Sequence, residues 1–441
     1  MNSLGYLESH LCKLVETELN RKFGVDLKLR SCHGELIGQG YGSICKIYLL
    51  KLQWNEEIGE EKAILPASIV LKVPRMKDHS ELVSKLSLMA EKEEPHERID
   101  PAQRIAMLHN NEVDAYAMFM SESDLPIPIP ACFYGRKAAD EIQGKRLDRP
   151  LYVGVAILKQ RKDLFESLLS LGLLLLEDLT GSAALIEDIS SGMNLAKVMD
   201  VASILAKLHC WCLTTKVEWK NQLTRIFGNV EEATHFRQFL TNGLAQLKKE
   251  YPDRFVHVDE EVVLRYLDVQ RWSALLRSIG QIVPTVLKHG DLWTNNILFK
   301  KSENGVPDDK VVALIDWQLI EQGAPLEDLA HLLIWSTSAS FRREHQRCVV
   351  NRYHQMLCDF VKGQVDLPSF ETFWLAFEAI FPRRAFLLIC FFPVLVGTVI
   401  KTNHPNGHIR LEEMISRALA AYEEALVYLG KPNLFHASAI P

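Results

Sequence analysis

Two polar motifs lie close together in the second half of the chain, each beside a short apolar run. Asp291 and Asn296 are five residues apart in the segment HGDLWTNNILF, which ends in the apolar residues 297–299. Asp316 directly follows the apolar run 311–315 in the segment LIDWQ. Two apolar runs separated by a polar, turn-rich stretch predict a β-hairpin. The hairpin would bring both carboxylates and the amide to one end, where they could hold a metal–phosphate complex and orient a nucleophile.

Length and composition restrict the class of protein. With 441 residues, the chain is too long for one simple core, so two or three domains or lobes are expected. A formal net charge of -6 and the lack of a long Lys/Arg run argue against a nucleic-acid-binding protein built on a basic surface. The 9 cysteines show no paired spacing, which is typical of free thiols in a reducing compartment. We therefore expect a cytoplasmic protein.

Two segments bear on targeting to a membrane. Residues 385–400 are apolar but are interrupted by Pro393, and they are fewer than the roughly 20 that a spanning helix needs. We expect a buried helix there and no membrane span. Residues 4–19 place leucines at helical spacing between charged residues, which indicates an amphipathic helix rather than a secretory signal.

Three glycines at alternate positions lie between two strand-like segments near the N-terminus. Gly38, Gly40 and Gly42, followed by Ser43, would allow backbone N–H groups to approach a phosphate closely. A plain hairpin turn is the alternative, and the glycines alone favour it.

A lysine and a glutamate upstream of the hairpin each have two interpretations. Lys72 is the one charge in the strand-like run 67–73, and it either reaches solvent or points toward nucleotide phosphates. Glu112 lies on the predicted helix 101–121, where it is either a solvated acid or the partner that holds Lys72 in place.

A lobe boundary is predicted at the segment EDLTG, which begins at Glu177. The pattern becomes mostly helical soon after it, so we assign residues 1–178 to an N-lobe and residues 179–441 to a C-lobe. The backbone of Glu177 and of Leu179 in such a hinge would contact the edge of an adenine ring.

The segment His209-Cys210-Trp211-Cys212 has residue types that bind metals. Zinc requires four nitrogen or sulfur ligands, and the sequence has no second closely spaced Cys/His pair to complete the set. Packing in the core is the favoured interpretation.

Together the candidate parts follow a characteristic order: glycine loop, strand lysine, helix glutamate, hinge, Asp-x4-Asn and strand-end aspartate. This order resembles that of the aminoglycoside phosphotransferase and choline kinase group, and most closely the ecdysteroid-kinase-like (CHK-kinase-like) family. The resemblance covers residues 32–426 and depends mainly on HGDLWTNNILF, LIDWQ and PLEDLAHLL. Protein kinases instead carry H-R-D-L-x-x-x-N and D-F-G. With Gly290 after the histidine and Trp317 after the aspartate, the two motifs resemble those of the small-molecule kinases rather than those of protein kinases.

The resemblance implies a fold class and an activity. The fold would be α+β, two-lobed and protein-kinase-like, with an antiparallel-sheet N-lobe and a mostly helical C-lobe. The activity would be transfer of the γ-phosphate of ATP, with Mg²⁺, to a hydroxyl of a small molecule such as a steroid or a glycoside. The sequence leaves the acceptor and the oligomeric state open, and a nucleotide-binding pseudokinase that acts as a scaffold is the alternative function.

The resemblance also implies roles for the residues of the hairpin. Asp291 would accept or orient the proton of the acceptor hydroxyl. Asn296 and Asp316 would bind Mg²⁺, a hard cation that prefers oxygen ligands. Asp328, in PLEDLAHLL, would brace the loop of Asp291 by hydrogen bonds, or would be a helix N-terminal acid favoured by the helix dipole.

Further roles are implied for the N-lobe, which would bind the nucleotide. Lys72, held by Glu112, would contact the α- and β-phosphates of ATP. The glycine loop would cover the phosphates through Gly38, Gly40, Gly42 and Ser43.

Overall fold

The computed structural model describes residues 3–37, 45–55, 65–74, 101–122, 125–138, 172–220, 223, 230–397, 405–433 and 435. The chain divides into two compact units. The first comprises Met1–Leu88, Ile99–Glu122 and Pro130–Gly181, and the second comprises Met89–Arg98, Ser123–Ile129 and Ser182–Pro441. The predicted glycine loop lies outside the described residues.

The first unit contains a five-stranded antiparallel sheet with the order β1-β2-β3-β5-β4. Its strands are β1 (Leu29–Ile37), β2 (Cys45–Trp54), β3 (Ser68–Pro74), β4 (Cys132–Arg136) and β5 (Leu173–Glu177). The four leucines of β5 are all buried, as expected for a strand with neighbours on both edges and a covered sheet on both faces.

Two helices pack against this sheet. Helix α1 (Ser3–Phe23) contacts β1 and β4, and helix α2 (Pro101–Ser121) contacts β3 and β4. Leu71 belongs to the apolar cluster that includes residues of α1. Because side chains alternate along a strand, the next residue of β3, Lys72, projects from the opposite face. The sheet therefore directs one lysine away from the main apolar cluster and toward α2.

The second unit is mostly helical. Several of its helices begin with a side-chain N-cap that accepts a backbone N–H, which satisfies one of the free donors of the first turn. Its helices are α3 (Leu195–Thr214), α4 (Val230–Glu250), α5 (Glu260–Tyr266), α6 (Val269–Gly280), α7 (Glu327–Ser336), α8 (Ala339–Val361), α9 (Phe370–Leu395) and α10 (Gly407–Leu429). With the sheet of the first unit, they confirm the predicted α+β class.

Two small sheets of the second unit position the polar motifs. Strand β6 (Ala183–Ala184) pairs with β8 (Ile297–Lys301), which forms the predicted hairpin with β9 (Pro307–Leu314). Strand β7 (Val286–Lys288) pairs antiparallel with β10 (Glu321–Gly323). The segment that enters the hairpin starts at β7, and the segment that leaves it ends at β10. Because β7 and β10 are paired, these two segments are held close together.

The predicted apolar segment near residue 390 is the C-terminal part of α9. Its side chains are largely buried in the second unit, as expected. Within the described part of the chain, no helix is long and apolar enough to cross a membrane. His209 of α3 is fully buried, and its Nδ1 atom lies 2.6 Å from the hydroxyl of Tyr353, so this ring is packed in the core.

Helices α4 and α9 approach each other at Gly243. A Cβ atom at this position would overlap the carbonyl oxygen of Cys390. Replacing Gly243 with alanine should therefore lower the free energy of unfolding by about 1–3 kcal/mol, the usual cost of an extra methyl group in a packed core. Urea unfolding measures this change.

Gly280→Ala is the matched control. A Cβ at the end of α6 would meet only Thr285 Oγ1, at 3.7 Å. This variant should be as stable as the wild type, or more stable by up to about 1 kcal/mol, because alanine favours helix. Equal stability of the two variants would contradict the close helix approach at Gly243.

Candidate active site

A buried ion pair lies in the first unit. Lys72 Nζ of β3 is 2.8 Å from Oε1 and 2.7 Å from Oε2 of Glu112, in the middle of α2. The side chains are 8% and 1% exposed, so neither is a solvent-facing charge. A buried charge is tolerated when it is paired and hydrogen-bonded. The pair holds one ammonium group in a fixed place beside the sheet.

His109, one turn before Glu112 on the same helix, does not form an ion pair with the Glu112 carboxylate. The pKa of His109 is lowered to about 4. Burial is the main cause and the charge of Lys72 adds to it, whereas a hydrogen bond to the backbone of Arg136 acts in the opposite direction. His109 is therefore neutral near pH 7, and its Nε2 atom lies 2.9 Å from the carbonyl oxygen of Arg136.

The predicted hinge is tied to the sheet of the first unit. The Glu177 amide donates to the carbonyl of Ala131 at 2.8 Å, and the Glu177 carboxylate accepts from the Ala131 amide at 3.1 Å. Asp178 accepts hydrogen bonds from Ser68 Oγ at 2.5 Å and from the Thr180 amide at 2.8 Å. The Glu177 amide is therefore already bonded within the first unit. Leu179 lies inside the turn that Asp178 closes.

Gly290 determines the path of the loop after β7. Its φ is +86°, and an added Cβ would overlap the carbonyl oxygen of Leu319. Glycine adopts this conformation without steric cost and permits the close backbone approach. Both requirements explain why the segment is His-Gly-Asp rather than His-Arg-Asp.

Asp291 and Asn296 are in contact. The Asn296 side-chain Nδ2 donates to the carbonyl oxygen of Asp291 at 2.7 Å and to its carboxylate Oδ2 at 3.0 Å. Asn296 belongs to a short 3₁₀ turn, Thr294–Asn296, that directs its amide back toward the loop. Because the nitrogen faces Asp291, the amide oxygen is the atom that faces away from it.

The carboxylate of Asp291 is 28% exposed and remains ionised. Burial alone would raise its pKa, but the contact with His331, the neighbouring His289 and the Asn296 amide together lower it below the ordinary value. His331 Nε2 lies 3.5 Å from Asp291 Oδ1. An ionised carboxylate at this position can accept a proton.

Asp316 lies where the hairpin ends, two residues after β9. Its backbone is left-handed, with φ of 67° and ψ of 60°, a conformation that aspartate tolerates better than most residues. The Ile315 amide donates to the Asn296 carbonyl at 3.0 Å, and Ile297 pairs with Leu314. Asn296 and Asp316 are thus at the same end of the hairpin, as predicted.

Trp317 packs against the loop that carries Asp291. Its ring centroid is 4.5 Å from that of His289, and its Nε1 donates to the Leu314 carbonyl at 3.1 Å. His289 Nε2 lies 2.9 Å from the carbonyl oxygen of Ile315. The motifs LIDWQ and HGD therefore stabilise each other through direct contacts.

Helix α7 contacts this loop along its length. The Asp328 carboxylate accepts hydrogen bonds from the amides of His289 at 2.6 Å and Gly290 at 2.9 Å. At the other end of α7, Ser336 Oγ accepts from the Thr294 amide at 3.0 Å. The predicted bracing by Asp328 is confirmed, and the residue also lies in the first turn of the helix.

A buried cluster of four charges fixes the start of the loop and the start of α7. Lys288 Nζ is 2.8 Å from both Glu321 Oε1 and Glu327 Oε2, and Arg384 donates to the same Glu327 oxygen at 2.8 Å. Glu327 is fully buried, and its Oε1 accepts from the Ala324 amide at 3.0 Å. Two cations and two anions balance, so the cluster is electrically neutral.

Both central members of the cluster are charged at neutral pH. Burial alone would raise the pKa of Glu327, but the charges of Lys288 and Arg384 outweigh it and hold this pKa below the ordinary 4.5. Burial alone would lower the pKa of Lys288, but Glu321 and Glu327 hold it above 10.5.

The sequence motifs did not identify His331, the cluster around Glu327, or Arg384. One signal for part of this set was present, because His331 comes four residues after Glu327 and three after Asp328 in PLEDLAHLL, which places it near both on the helix surface. Lys288 is a charge that ends a strand of buried residues. Arg384 is 57 residues from Glu327, and no local pattern connects them.

The donor set of the hairpin end fits magnesium. Asp316 supplies a carboxylate and Asn296 an amide oxygen, and Mg²⁺ is usually held by one or two carboxylates together with phosphates and water. Within the described ranges, no group of three or more His, Cys, Asp or Glu side chains could hold a metal ion. A metal at this end would therefore depend on the Asn296 oxygen and on ligands from outside the protein.

Comparison with known proteins agrees with this geometry. Residues 160–364 match the model of the ecdysteroid kinase-like family. The predicted resemblance is confirmed. The matched residues include Asp291, Asn296, Asp316 and Asp328. Residues 2–147 match a second family model, described as "Uncharacterized oxidoreductase dhs-27".

Two curated relatives come from Caenorhabditis elegans. The uncharacterized oxidoreductase dhs-27 is 23% identical over 42% of this chain, which spans only 22% of the length of that relative. The uncharacterized kinase-like protein D1044.1 is 22% identical over 70% of this chain and 69% of its own length. Among solved structures, the choline kinase of Cryptosporidium parvum is 11% identical, with 90% of this chain and 88% of that chain covered and a TM-score of 0.40.

Replacing Glu327 with glutamine tests the buried cluster. The substitution leaves Lys288 and Arg384 without their shared carboxylate, so the free energy of unfolding at pH 7 should fall by about 3–5 kcal/mol. Because the Glu327 pKa is below 4.5 in the folded protein, its contribution is present above pH 4.5 and is lost as the pH falls through the folded pKa. The wild-type and variant curves should therefore converge in acid. Denaturant unfolding at a series of pH values measures both effects.

Glu371→Gln is the control for this variant. Glu371 forms an ion pair with Arg347 in which the side chains are 69% and 51% exposed, and exposed pairs contribute at most about 1 kcal/mol. A loss for Glu327→Gln no larger than that of the control would show that the cluster does not stabilise the second unit.

Proposed function

We propose that the protein is an ATP- and Mg²⁺-dependent phosphotransferase that acts on a hydroxyl group of a small molecule. The observation that carries the proposal is the contact between an ionised, partly exposed Asp291 and Asn296, at the hairpin end that also bears Asp316. Phosphoryl transfer requires positioning and charge neutralisation more than covalent help from the protein. A carboxylate base beside oxygen ligands for a cation meets that requirement.

Asp291 would act as the general base. Its ionised carboxylate accepts the proton of the acceptor hydroxyl as the hydroxyl oxygen forms a bond to the γ-phosphorus of ATP. The bond between that phosphorus and the bridging oxygen breaks, and ADP leaves. The Asn296 amide holds one oxygen of Asp291, so the carboxylate keeps its orientation toward the acceptor. Mg²⁺, held by Asn296 and Asp316, would neutralise charge on the phosphates.

The first unit would supply the nucleotide contacts. Lys72 is held by the carboxylate of Glu112, as required of a residue that binds the α- and β-phosphates. The segment from Glu177 to Leu179 would contact the adenine through its backbone, at the boundary between an N-lobe of residues 1–178 and a C-lobe of residues 179–441. The proposed phosphate cover, residues 38–43, belongs to the same part of the chain.

The match to the ecdysteroid kinase-like family supports a steroid or a related hydroxyl compound, glycosides included, as the acceptor. We place the protein in the cytoplasm because all of its cysteines are free thiols. The alternative, a nucleotide-binding scaffold without transfer activity, is less compatible with the intact Asp291, Asn296 and Asp316.

Asp291→Asn tests the base. The variant keeps the shape of the side chain but cannot accept the proton, so the rate of ADP formation with an acceptor should fall by about 10²–10⁴-fold. ATP affinity, measured by isothermal titration calorimetry, should be retained. The acceptor for the assay is found by mass spectrometry of a hydroxyl-compound library, as a mass gain of one phosphate.

Glu303→Gln is the control, because Glu303 is an exposed acid in the turn of the same hairpin. It should leave the rate unchanged. ATP binding by the wild type without transfer to any compound of the library would contradict a phosphotransferase and would support the scaffold.

Asp316→Asn tests the cation site. Losing a carboxylate ligand should raise the Mg²⁺ concentration for half-maximal activity by more than about tenfold, because Mg²⁺ prefers charged oxygen ligands. Asp308→Asn, which changes an exposed acid at the start of β9, is the control. The measurement is a Mg²⁺ titration of ADP formation at saturating ATP. Identical titrations for Asp316→Asn and the wild type would remove Asp316 from the site.

A further inference from the structure

His331 is a buried residue beside the proposed base. It lies one turn into α7, three residues after Asp328, and is 4% exposed. Its Nε2 atom is 3.5 Å from Asp291 Oδ1, a separation longer than a formed hydrogen bond. The other carboxylate oxygen of Asp291, Oδ2, accepts from Asn296. The ring therefore lies beside the one carboxylate oxygen that Asn296 does not hold.

Both ring nitrogens of His331 are buried, and in the described part of the protein neither has a hydrogen-bond partner. Buried polar atoms are normally paired, and each unpaired one in a native protein calls for an explanation. An apolar side chain of similar size would fill the same space without this cost. Packing alone therefore does not explain a histidine at this position.

The ring plane is determined by a neighbour on the same helix. His331 stacks on Trp335, with ring centroids 4.6 Å apart and planes inclined by 21°. Trp335 is itself held by a hydrogen bond from its Nε1 to the Arg384 carbonyl, at 3.3 Å. The stack restrains rotation of the imidazole and keeps its Nε2 edge toward Asp291.

We propose that His331 is a positioning residue for Asp291: its Nε2–H points at Asp291 Oδ1 and fixes the orientation of the carboxylate that receives the acceptor proton. The inference depends on the proposed function, and it adds a residue to that site. Asn296 and His331 would then hold one carboxylate oxygen each. In structures without substrate, hydrogen bonds of this kind are often long, and they shorten when the complex forms.

The surroundings keep this imidazole in the form that the role requires. Burial is the main influence that lowers the pKa of His331, and the charge of Arg384 adds to it, against the opposing effects of Asp291 and Asp328. The ring is therefore neutral at pH 7, with one N–H to donate. A neutral donor orients a carboxylate without removing its ability to accept a proton.

Two substitutions separate positioning from packing. His331→Phe keeps an aromatic ring that can stack on Trp335 but has no N–H. His331→Gln loses the ring but can place an N–H where Nε2 was. If His331 positions Asp291, the phenylalanine variant should lose about 10- to 100-fold in kcat with the KM for ATP unchanged, as expected for a small misplacement of a reacting group. The glutamine variant should stay within a few-fold of the wild type.

A packing role predicts the reverse order. Phenylalanine would then retain activity, glutamine would lose it, and thermal unfolding would follow the same ranking. Phe341→Leu, on helix α8, serves as a control for general damage to an aromatic contact, because Phe341 packs against His345 on its own helix. Wild-type kcat in His331→Phe, with a folded protein, would overturn the inference.

Nuclear magnetic resonance gives a readout that does not use activity. In protein with ¹⁵N-labelled histidine, the signal that is absent from His331→Gln belongs to His331. It should be that of a neutral ring protonated at Nε2, and it should shift in Asp291→Asn. A ring protonated at Nδ1, or a signal that Asp291→Asn leaves unchanged, would overturn the inference. An inactive wild type would overturn the proposed function as well, whereas an active wild type with either of these results overturns only the role of His331.

Discussion

The hydrogen bonds from the amides of His289 and Gly290 to the Asp328 carboxylate are the interaction on which the rest of the site depends. A loop that turns through a left-handed glycine has backbone donors that no strand or helix can satisfy. One carboxylate in the first turn of α7 satisfies two of them. It therefore determines both the path of the loop and the register of the helix beside it.

From Asp328 onward, helix α7 runs alongside the loop that carries Asp291. His331 follows Asp328 on the helix as Asp291 follows Gly290 in the loop, and Ser336 then contacts Thr294. Trp335 and Trp293, between those last two pairs, have ring centroids 5.9 Å apart. Because the whole of α7 is buried, it cannot move without disturbing the core around it. The loop is therefore bonded at both of its ends to a helix that is buried along its whole length.

Much of this arrangement follows from local patterns in the sequence. The hairpin, the strand of Lys72 and the helix of Glu112 are set by apolar periodicity. The sequence left Lys72 and Glu112 as either solvated charges or an ion pair, and the structure shows the buried ion pair. The bracing by Asp328 was implied by the resemblance of PLEDLAHLL to a known family, and not by a local pattern.

Other parts are not encoded locally. The left-handed backbone of Asp316 directly precedes Trp317, which packs on His289, and no signal in LIDWQ predicts this conformation. The leucine run of β5 has no period that distinguishes a central strand from a buried helix until its neighbours are known. Arg384 reaches Glu327 only because α9 crosses the start of α7, and that crossing depends on the core of the second unit.

The neutral charge cluster has a consequence for how the protein folds. Its members meet across sequence separations of 39 and 57 residues, so it cannot form while the chain is still making local contacts. Closing such loops costs entropy before any favourable contact offsets it, which makes long-range pairing a late and slow event. We expect the hairpin to form early and the loop of Asp291 to become ordered only when α9 docks. A nascent chain released before α9 is complete would thus have the motif residues without the ordered loop.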